Sequence, residues 1–422
     1  MCNGRCIQCL LVSSISPNTG STEPLPRIST GVIIDDAAYD SAVARPGNLV
    51  DVATLGESMV TFLPTAPGRL ADVPSFHRAI GGAESNVACM LAAFGHTARW
   101  ISRVGADGFG DHLLERIAGY GVDVSSVRRD PERPTGVYFR TAEDRATGAH
   151  EVAYYRAGSA ASAMSPRNVD PAAARTARIL HLSGITAALS PGCLDLLREL
   201  TAPGPGRPLL SFDVNHRPGL WRTPEAPLLL LDLARRADLV FVGEDEAEEA
   251  WGVTGGPRAV REALPEPGVL VVKQGPRGAT AFERTAAPGT LDPDAAPGTF
   301  GPDAASGSFG PDVASGTFGS DVARGTFEPA LAVDVVATVG AGDAFAAGFL
   351  SATLRGLPLR TRLRHGHLLA AATLTAPGDL TAPPARGHAD RLAALDADAW
   401  ERLRLGPGWT RAEQAQEEAI TP

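Results

Sequence analysis

An aspartate set between a glycine turn and an apolar helix is the grouping in this chain with the clearest chemistry. Gly340-Ala341-Gly342-Asp343 follows the β-leaning residues Val333, Val335, Val336 and Thr338. It precedes Ala344, Phe345, Ala346, Ala347 and Phe349, whose apolar i, i+4 spacing reads as a helix. Strand, glycine turn and helix N-terminus in that order make an anion site. Glycine lets the backbone pass close to a ligand, and the first unbonded N–H groups of the helix face its charge. A carboxylate beside a bound phosphate would repel it, so the reading for Asp343 is chemical: a base that takes the proton of a hydroxyl attacking phosphorus. Those four residues alone also fit an ordinary turn whose acid favours the helix dipole.

The elements around that turn give it a setting. From Asn48 on, Leu49–Leu55 reads as a strand ending at Gly56-Glu57. Gly81-Gly82-Ala83-Glu84-Ser85-Asn86 then opens a helix that runs to Gly95. The glycine pair is a second point of close approach, suited to a small polar ligand, although a tight turn capped by Asn86 fits it equally. Arg99–Val104 reads as a strand and Asp111–Tyr120 as a helix. From Ile179 strands and helices trade places: strands at Ile179–Leu182, Leu209–Asn215, Leu239–Val242 and Val269–Lys273, helices at Pro191–Thr201, Leu228–Ala237, Asp245–Trp251 and Arg258–Leu264. Such alternation predicts a mainly parallel sheet covered on both faces, with ligands gathering at the carboxyl ends of the strands. Asn215, Arg217, Glu246, Lys273 and Asp343 all fall at or just past such ends. Short strands without helices between them, from about 122 to 156, predict a small antiparallel sheet beside the main one.

A length of 422 residues suits one large α/β domain, and the net charge of −10 argues against a non-specific nucleic-acid binder. Five cysteines, three crowded at Cys2, Cys6 and Cys9 and two single at Cys89 and Cys193, do not form a disulfide framework, so a reducing cytoplasm is the expectation. No apolar run is long enough to cross a membrane. Cys6–Ile15 has only the outline of a signal segment, without a convincing cleavage site. The C-x3-C-x2-C spacing would suit an iron–sulfur cluster, but residues 1–48 read as a disordered extension that could not shelter one. Residues 288–326 repeat with a period of nine, as in PGTFGPDAA and SGSFGPDVA. A β-solenoid or calcium array would have that periodicity. With one Phe or Leu per copy, a flexible low-complexity insertion fits better. Helices are expected over 366–376 and Arg391–Trp400, and the tail 401–422 is expected to be loose.

The ordered motifs GGAESNVA (81–88), SRVGADGFG (102–110), GVDVSSV (121–127), KQGPRGA (273–279) and GAGDAFAAGF (340–349) resemble the ribokinase-like (PfkB-type) sugar kinases. RPTGVYF (133–139), YYRAGSAAS (154–162), HLSGITAALS (181–190) and DVNHRPGLW (213–221) are most similar to those of 2-keto-3-deoxygluconate kinases. The resemblance covers about residues 49–400. It implies a three-layer fold with a β lid from segments near 58–80 and 122–156, and ATP-dependent, Mg²⁺-assisted phosphorylation of a sugar hydroxyl. Asp343 would then be the base, and the amides of Val339, Gly340, Ala341 and Gly342 an anion hole. Gly82, Asn86, Tyr138, Tyr154, Arg156, Arg217 and Asp379 would line the sugar pocket. Lys273, Gly275 and Gly278 would lie on the nucleotide side, with Glu246 ordering magnesium. Arg156 and Arg217 would hold the carboxylate of a sugar acid by charge-assisted bonds; structural ion pairs are the alternative for both. A kinase for a neutral sugar such as fructose or ribose, and a non-catalytic sugar-binding regulator, are the competing readings. The lid would pair subunits into a homo-oligomer. Two positions depart from the family: Ala337 stands where an acid tied to a monovalent-cation loop is usual, which puts potassium activation in question, and Gly243 stands where Asn is common.

Overall fold

The computed structural model describes residues 49–411 except 67, 142–150, 222 and 285–324. The N-terminal extension 1–48 with its three cysteines, repeat residues 288–324 and the tail from 412 lie outside the described residues.

The wholly buried run Val50–Leu55 forms β1. Then come Met59–Pro64 (β2), Phe76–Gly81 (β3), Ala83–Ala93 (α1), Ala98–Gly105 (β4), Gly108–Ala118 (α2), Val127–Asp130 (β5), Val137–Arg140 (β6) and Val152–Tyr155 (β7). The alternating region holds Pro171–Arg175 (α3), Ala177–Ser183 (β8), Gly184–Ala188 (α4), Pro191–Leu200 (α5), Leu209–Asp213 (β9), Ala226–Arg235 (α6), Leu239–Gly243 (β10), Glu244–Trp251 (α7), Gly256–Ala263 (α8) and Val269–Lys273 (β11). After Gly278–Glu283 (β12), Thr326–Pro329 (β13) and Ala332–Val333 (β14) come Ala341–Leu354 (α9), Leu359–Leu374 (α10), Arg386–Ala393 (α11), Ala397–Arg402 (α12) and Arg404–Leu405 (β15).

Nine of these strands make one sheet in the order β13-β12-β11-β10-β9-β8-β1-β4-β5. It is parallel from β5 to β11, while β12 and β13 run antiparallel at one edge. Alternate side chains of a strand point to opposite faces, and β10 shows the result. Val240 and Val242 join the core made with α5, α6 and α7, and Leu239 and Phe241 join the core made with α1, α9 and α10. Helices thus cover both faces, and strands apolar on both sides follow from it.

Beside this sheet lies a second, of order β3-β2-β6-β7. Register places Thr61, Tyr138 and Tyr154 on one face and Phe62, Phe76, Phe139 and Tyr155 on the other.

Several expectations are corrected. Residues 122–130 do not join the small sheet: β5 pairs in parallel with β4 at the edge of the main one. The strand expected to lead into Gly340 is only Ala332–Val333, and it pairs with Arg404–Leu405 rather than with the main sheet. Val335 and Val336 are exposed, because β-propensity alone does not provide a neighbouring strand to complete the ladder. Instead the Val336 N–H donates to the Leu374 carbonyl at 2.7 Å. The helix expected over Arg391–Trp400 breaks where Asp396 caps α12. As far as Arg411 the segment expected to be loose is packed: β15 pairs with β14, and Trp409 is buried.

Candidate active site

Gly340 sits at the N-terminal end of α9 in a left-handed conformation, φ 81°. A side chain is excluded there on two counts: the backbone angle, and the Asp379 carbonyl, which lies 2.4 Å from where a Cβ would be. The next residues start the helix, so their amides have no intrahelical acceptor. Asp343 is on this first turn. Its Oδ2 accepts a hydrogen bond from Asn86 Nδ2 at 2.8 Å, which joins α1 to α9 across 257 residues of sequence.

Two strand ends complete the surround. Lys273, the last residue of β11, donates to both oxygens of Asp213 at the end of β9, each at 3.1 Å. Its Nζ is 3.8 Å from the Cβ position of Gly342. Lys273 therefore belongs to the glycine turn. Gly275 and Gly278, expected with it, bound a short 3₁₀ turn leading into β12. Asp213 also accepts from the Asn215 N–H, and Asn215, φ 40°, is the one non-glycine residue with positive φ among the described residues. Such an outlier marks a place where surroundings dictate backbone.

Charge at the centre is set by packing. Asp343 as a whole keeps partial solvent contact. The atoms around its carboxyl are dense, however, and this burial pushes it up to about 7. Asp213 and Glu84 add to the rise, and Asn86 and Lys273 oppose it. The pKa of Lys273 is raised too, but against burial: burial disfavours its charge, yet Asp213, Glu246 and Asp343 hold it protonated beyond its usual range. Glu84, fully buried, receives the hydroxyls of Ser183 and Thr186, and burial raises its pKa.

The remaining predicted residues separate into two groups. Tyr138 and Asp379 come together: the phenol donates to Asp379 Oδ2 at 2.7 Å, and Arg140 Nη2 donates to Oδ1 at 2.6 Å. A Cβ on Gly81 would lie 2.4 Å from the Tyr138 hydroxyl, so the glycine before Gly82 makes room for this contact. Tyr154 is exposed and tilts against Tyr138, with ring centroids 5.4 Å apart. The two arginines are both already paired. Arg156 donates Nε to Glu57 Oε2 at 2.7 Å, and the Glu57 side chain is wholly buried. Arg217 lies at the rim, 3.5 Å from Glu246. Glu246 in turn accepts the Gly243 N–H at 2.7 Å, one half of a capping box. Sequence reading passed over Glu57, Asp213 and Arg140. Glu57 stands just past the first strand and Asp213 opens the DVNHRPGLW motif, a signal of position; Arg140 has no such signal, since its partner is 239 residues away.

A carboxyl raised by burial to about 7 beside uncapped helix amides, at the carboxyl ends of parallel strands, can exchange a proton with a hydroxyl while an anion sits on the amides. The sequence matches the pfkB family carbohydrate kinases over residues 50–297 and 313–386. The chain belongs to that family and is a sugar kinase. Among its relatives, 2-dehydro-3-deoxygluconokinase of Bacillus subtilis is 32% identical over 346 residues, 80% of this chain and 93% of the relative. Fructokinase-1 of Oryza sativa is 32% identical over 237 residues, 55% of this chain and 73% of the relative. The crystal structure of a PfkB protein from Polaromonas sp. JS666 is similar with a TM-score of 0.64 at 31% identity, over 81% of this chain and 99% of that one.

Proposed function

We propose that this protein transfers the γ-phosphoryl group of ATP to the C6 hydroxyl of 2-keto-3-deoxygluconate, the compound also named 2-dehydro-3-deoxygluconate. The observation that carries the reading is Asp343: a carboxyl held near neutrality by burial, on the first turn of α9. It accepts the hydroxyl proton as the oxygen attacks phosphorus, and the N–H groups of Ala341, Gly342 and Asp343 receive the charge on the moving phosphoryl, a set shifted from the expected Val339 to Gly342 because α9 begins only at Ala341. Asn86 orients the carboxylate, and its own buried Oδ1 lacks a protein partner. An unmade buried acceptor costs about 1–3 kcal/mol, which a sugar hydroxyl would recover. Lys273 offers a cation to the phosphates, with Gly275 and Gly278 forming the turn against which the nucleotide lies. Gly82, Tyr138, Tyr154 and Asp379 bound the sugar.

Among the described residues no three acidic or histidine side chains converge as a metal-binding set. Glu246 is the residue that would help order Mg²⁺ and its waters. Bound Mg²⁺ would neutralise phosphate charge. Where the family's cation-loop acid is usual, the Ala337 N–H lies 3.3 Å from the Leu374 carbonyl and no carboxylate is supplied; turnover independent of potassium follows.

Support for the keto acid comes from identity over comparable lengths: 2-dehydro-3-deoxygluconokinase of Bacillus subtilis is 32% identical over 346 residues, against 29% over 350 for a probable fructokinase of Arabidopsis thaliana. One observation favours a neutral sugar instead. Arg156 is balanced by Glu57 and Arg217 by Glu246, so neither brings net positive charge. The deciding experiment is turnover of a panel of sugars and sugar acids with ATP and Mg²⁺. Preference for 2-keto-3-deoxygluconate supports the proposal, and preference for fructose or ribose overturns its substrate half. Binding of a sugar without phosphoryl transfer would indicate a regulator on the same fold.

A further inference from the structure

Asp379 joins Gly340 to the small sheet, using its main chain for one and its carboxylate for the other. The Asp379 main chain lies directly against Gly340, its carbonyl 2.4 Å and its Cα 3.2 Å from the glycine's Cβ position. Its carboxylate is held on the other side by the small sheet. Tyr138 takes Oδ2, and Arg140 takes Oδ1 at 2.6 Å with both side chains over nine-tenths buried. Tyr138 and Arg140 are alternate residues of β6, so one face of one strand makes both bonds. Tyr138 is the donor in its bond to Asp379: burial, and then Asp379, raise its pKa and keep the phenol protonated.

We propose that Arg140 is a positioning residue, which holds the Gly340–Asp343 turn in its reactive geometry through Asp379. Gly340 has no side chain of its own to fix it, and its left-handed conformation gains nothing from helix propensity. Its position is fixed by contact, and the contacting residue is Asp379. Without the guanidinium, the Asp379 carboxylate would be a buried charge with one hydroxyl donor, and a charge left so moves toward water. The Asp379 main chain would shift with it, and Gly340 with that. The amides and the carboxyl of the proposed reaction all lie within the next three residues, and small misplacements at a reacting centre cost large rate factors. Tyr138 alone cannot substitute, because it leaves Oδ1 unpaired.

The catalytic consequence rests on the kinase reading of the same turn, so the test has two arms. In the first, hydrogen exchange of peptides covering residues 336–346 is followed in the wild type, in Arg140→Met, and in the exposed-site control Arg69→Met. Exchange at least threefold faster in R140M, with the control unchanged, is expected; equal exchange in all three overturns the proposal. In the second arm, kcat and KM are measured for whichever sugar of the panel the wild type phosphorylates best. R140M is expected to lower kcat at least tenfold and leave the KM for ATP within twofold, with Arg140→Lys recovering part of the loss. Asp379→Asn is expected to give a similar loss, and the double variant little more, because both act along one path. Losses that multiply, or an unchanged kcat in a folded R140M protein, overturn the catalytic role. A wild type that phosphorylates nothing in the panel overturns the kinase reading instead, and leaves the exchange arm to decide whether Arg140 holds the turn.

Discussion

A carboxyl near neutrality governs how this site responds to pH. Asp343 is pushed up to about 7 by burial, so below that pH it is protonated and cannot accept a proton. The rate kcat/KM should therefore rise through an acid limb with a midpoint near 7 and reach a plateau above it, a profile that initial rates between pH 5.5 and 9 would reveal. A limb centred near 4, the range of an ordinary carboxylate, would mean that burial is not setting this group. Arg156 is the second residue to probe. Arg156→Ala strips Glu57 of its cation, and an uncompensated buried charge costs about 3–5 kcal/mol. The variant should melt earlier. Below its melting range it should raise the KM for the keto acid far more than that for ATP. Small, equal effects on both would remove the basis for a sugar acid.

The elements decide whether that chemistry has a frame. Gly340→Ala would place a Cβ 2.4 Å from the Asp379 carbonyl at a φ of 81°. It should cost several-fold or more in kcat even though alanine is the better helix former, and a fully active variant would show that this contact is slack. At this scale the chain was partly readable. Hydrophobic period and the trade of strands with helices foretold β8 to β11 and the helices α5 to α8, though not the short α4, and glycines placed the start of α9. Val335 and Val336 misled, because a β-forming residue becomes a strand only where another strand lies open beside it. Residues 122–130 misled for the related reason that a short strand signal does not say which sheet it will join. Asn86 on Asp343 and Arg140 on Asp379 could not be read at all: such pairs depend on how the whole sheet folds back. The readable part of the site was its main-chain geometry, and the hidden part was which charges neutralise which. Glu57 and Glu246 are the examples, since either arginine read alone looks available to a ligand.

Two properties belong to the molecule as a whole. Burial lowers the pKa of His96, His365 and His367 to about 4 and that of His181 to about 3. A histidine depressed in the folded state contributes stability that is intact above its unfolded value near 6.5. That stability is lost as pH falls toward the folded value, because only the unfolded chain takes up the proton. Urea midpoints should thus fall steeply between pH 6.5 and 4, and a midpoint constant over that window would contradict the assignment. The second property is association. On the small sheet, Phe62 stacks on Phe139 at 4.8 Å, Phe76 meets the same ring at 5.3 Å and Tyr155 at 5.9 Å, with Tyr155 itself 67% exposed. An aromatic face of this kind suits pairing with a second copy. Light scattering should find a dimer or larger assembly that Tyr155→Asp weakens; a monomer at micromolar concentration would refute that pairing.

The most direct trial of the account is Asp343→Asn, which keeps shape and the contact with Asn86 while removing the base. The account predicts a kcat lower by on the order of 10³-fold, within the span general bases contribute, with the KM for ATP and the thermal midpoint little changed. A kcat within a few-fold of the wild type would contradict it.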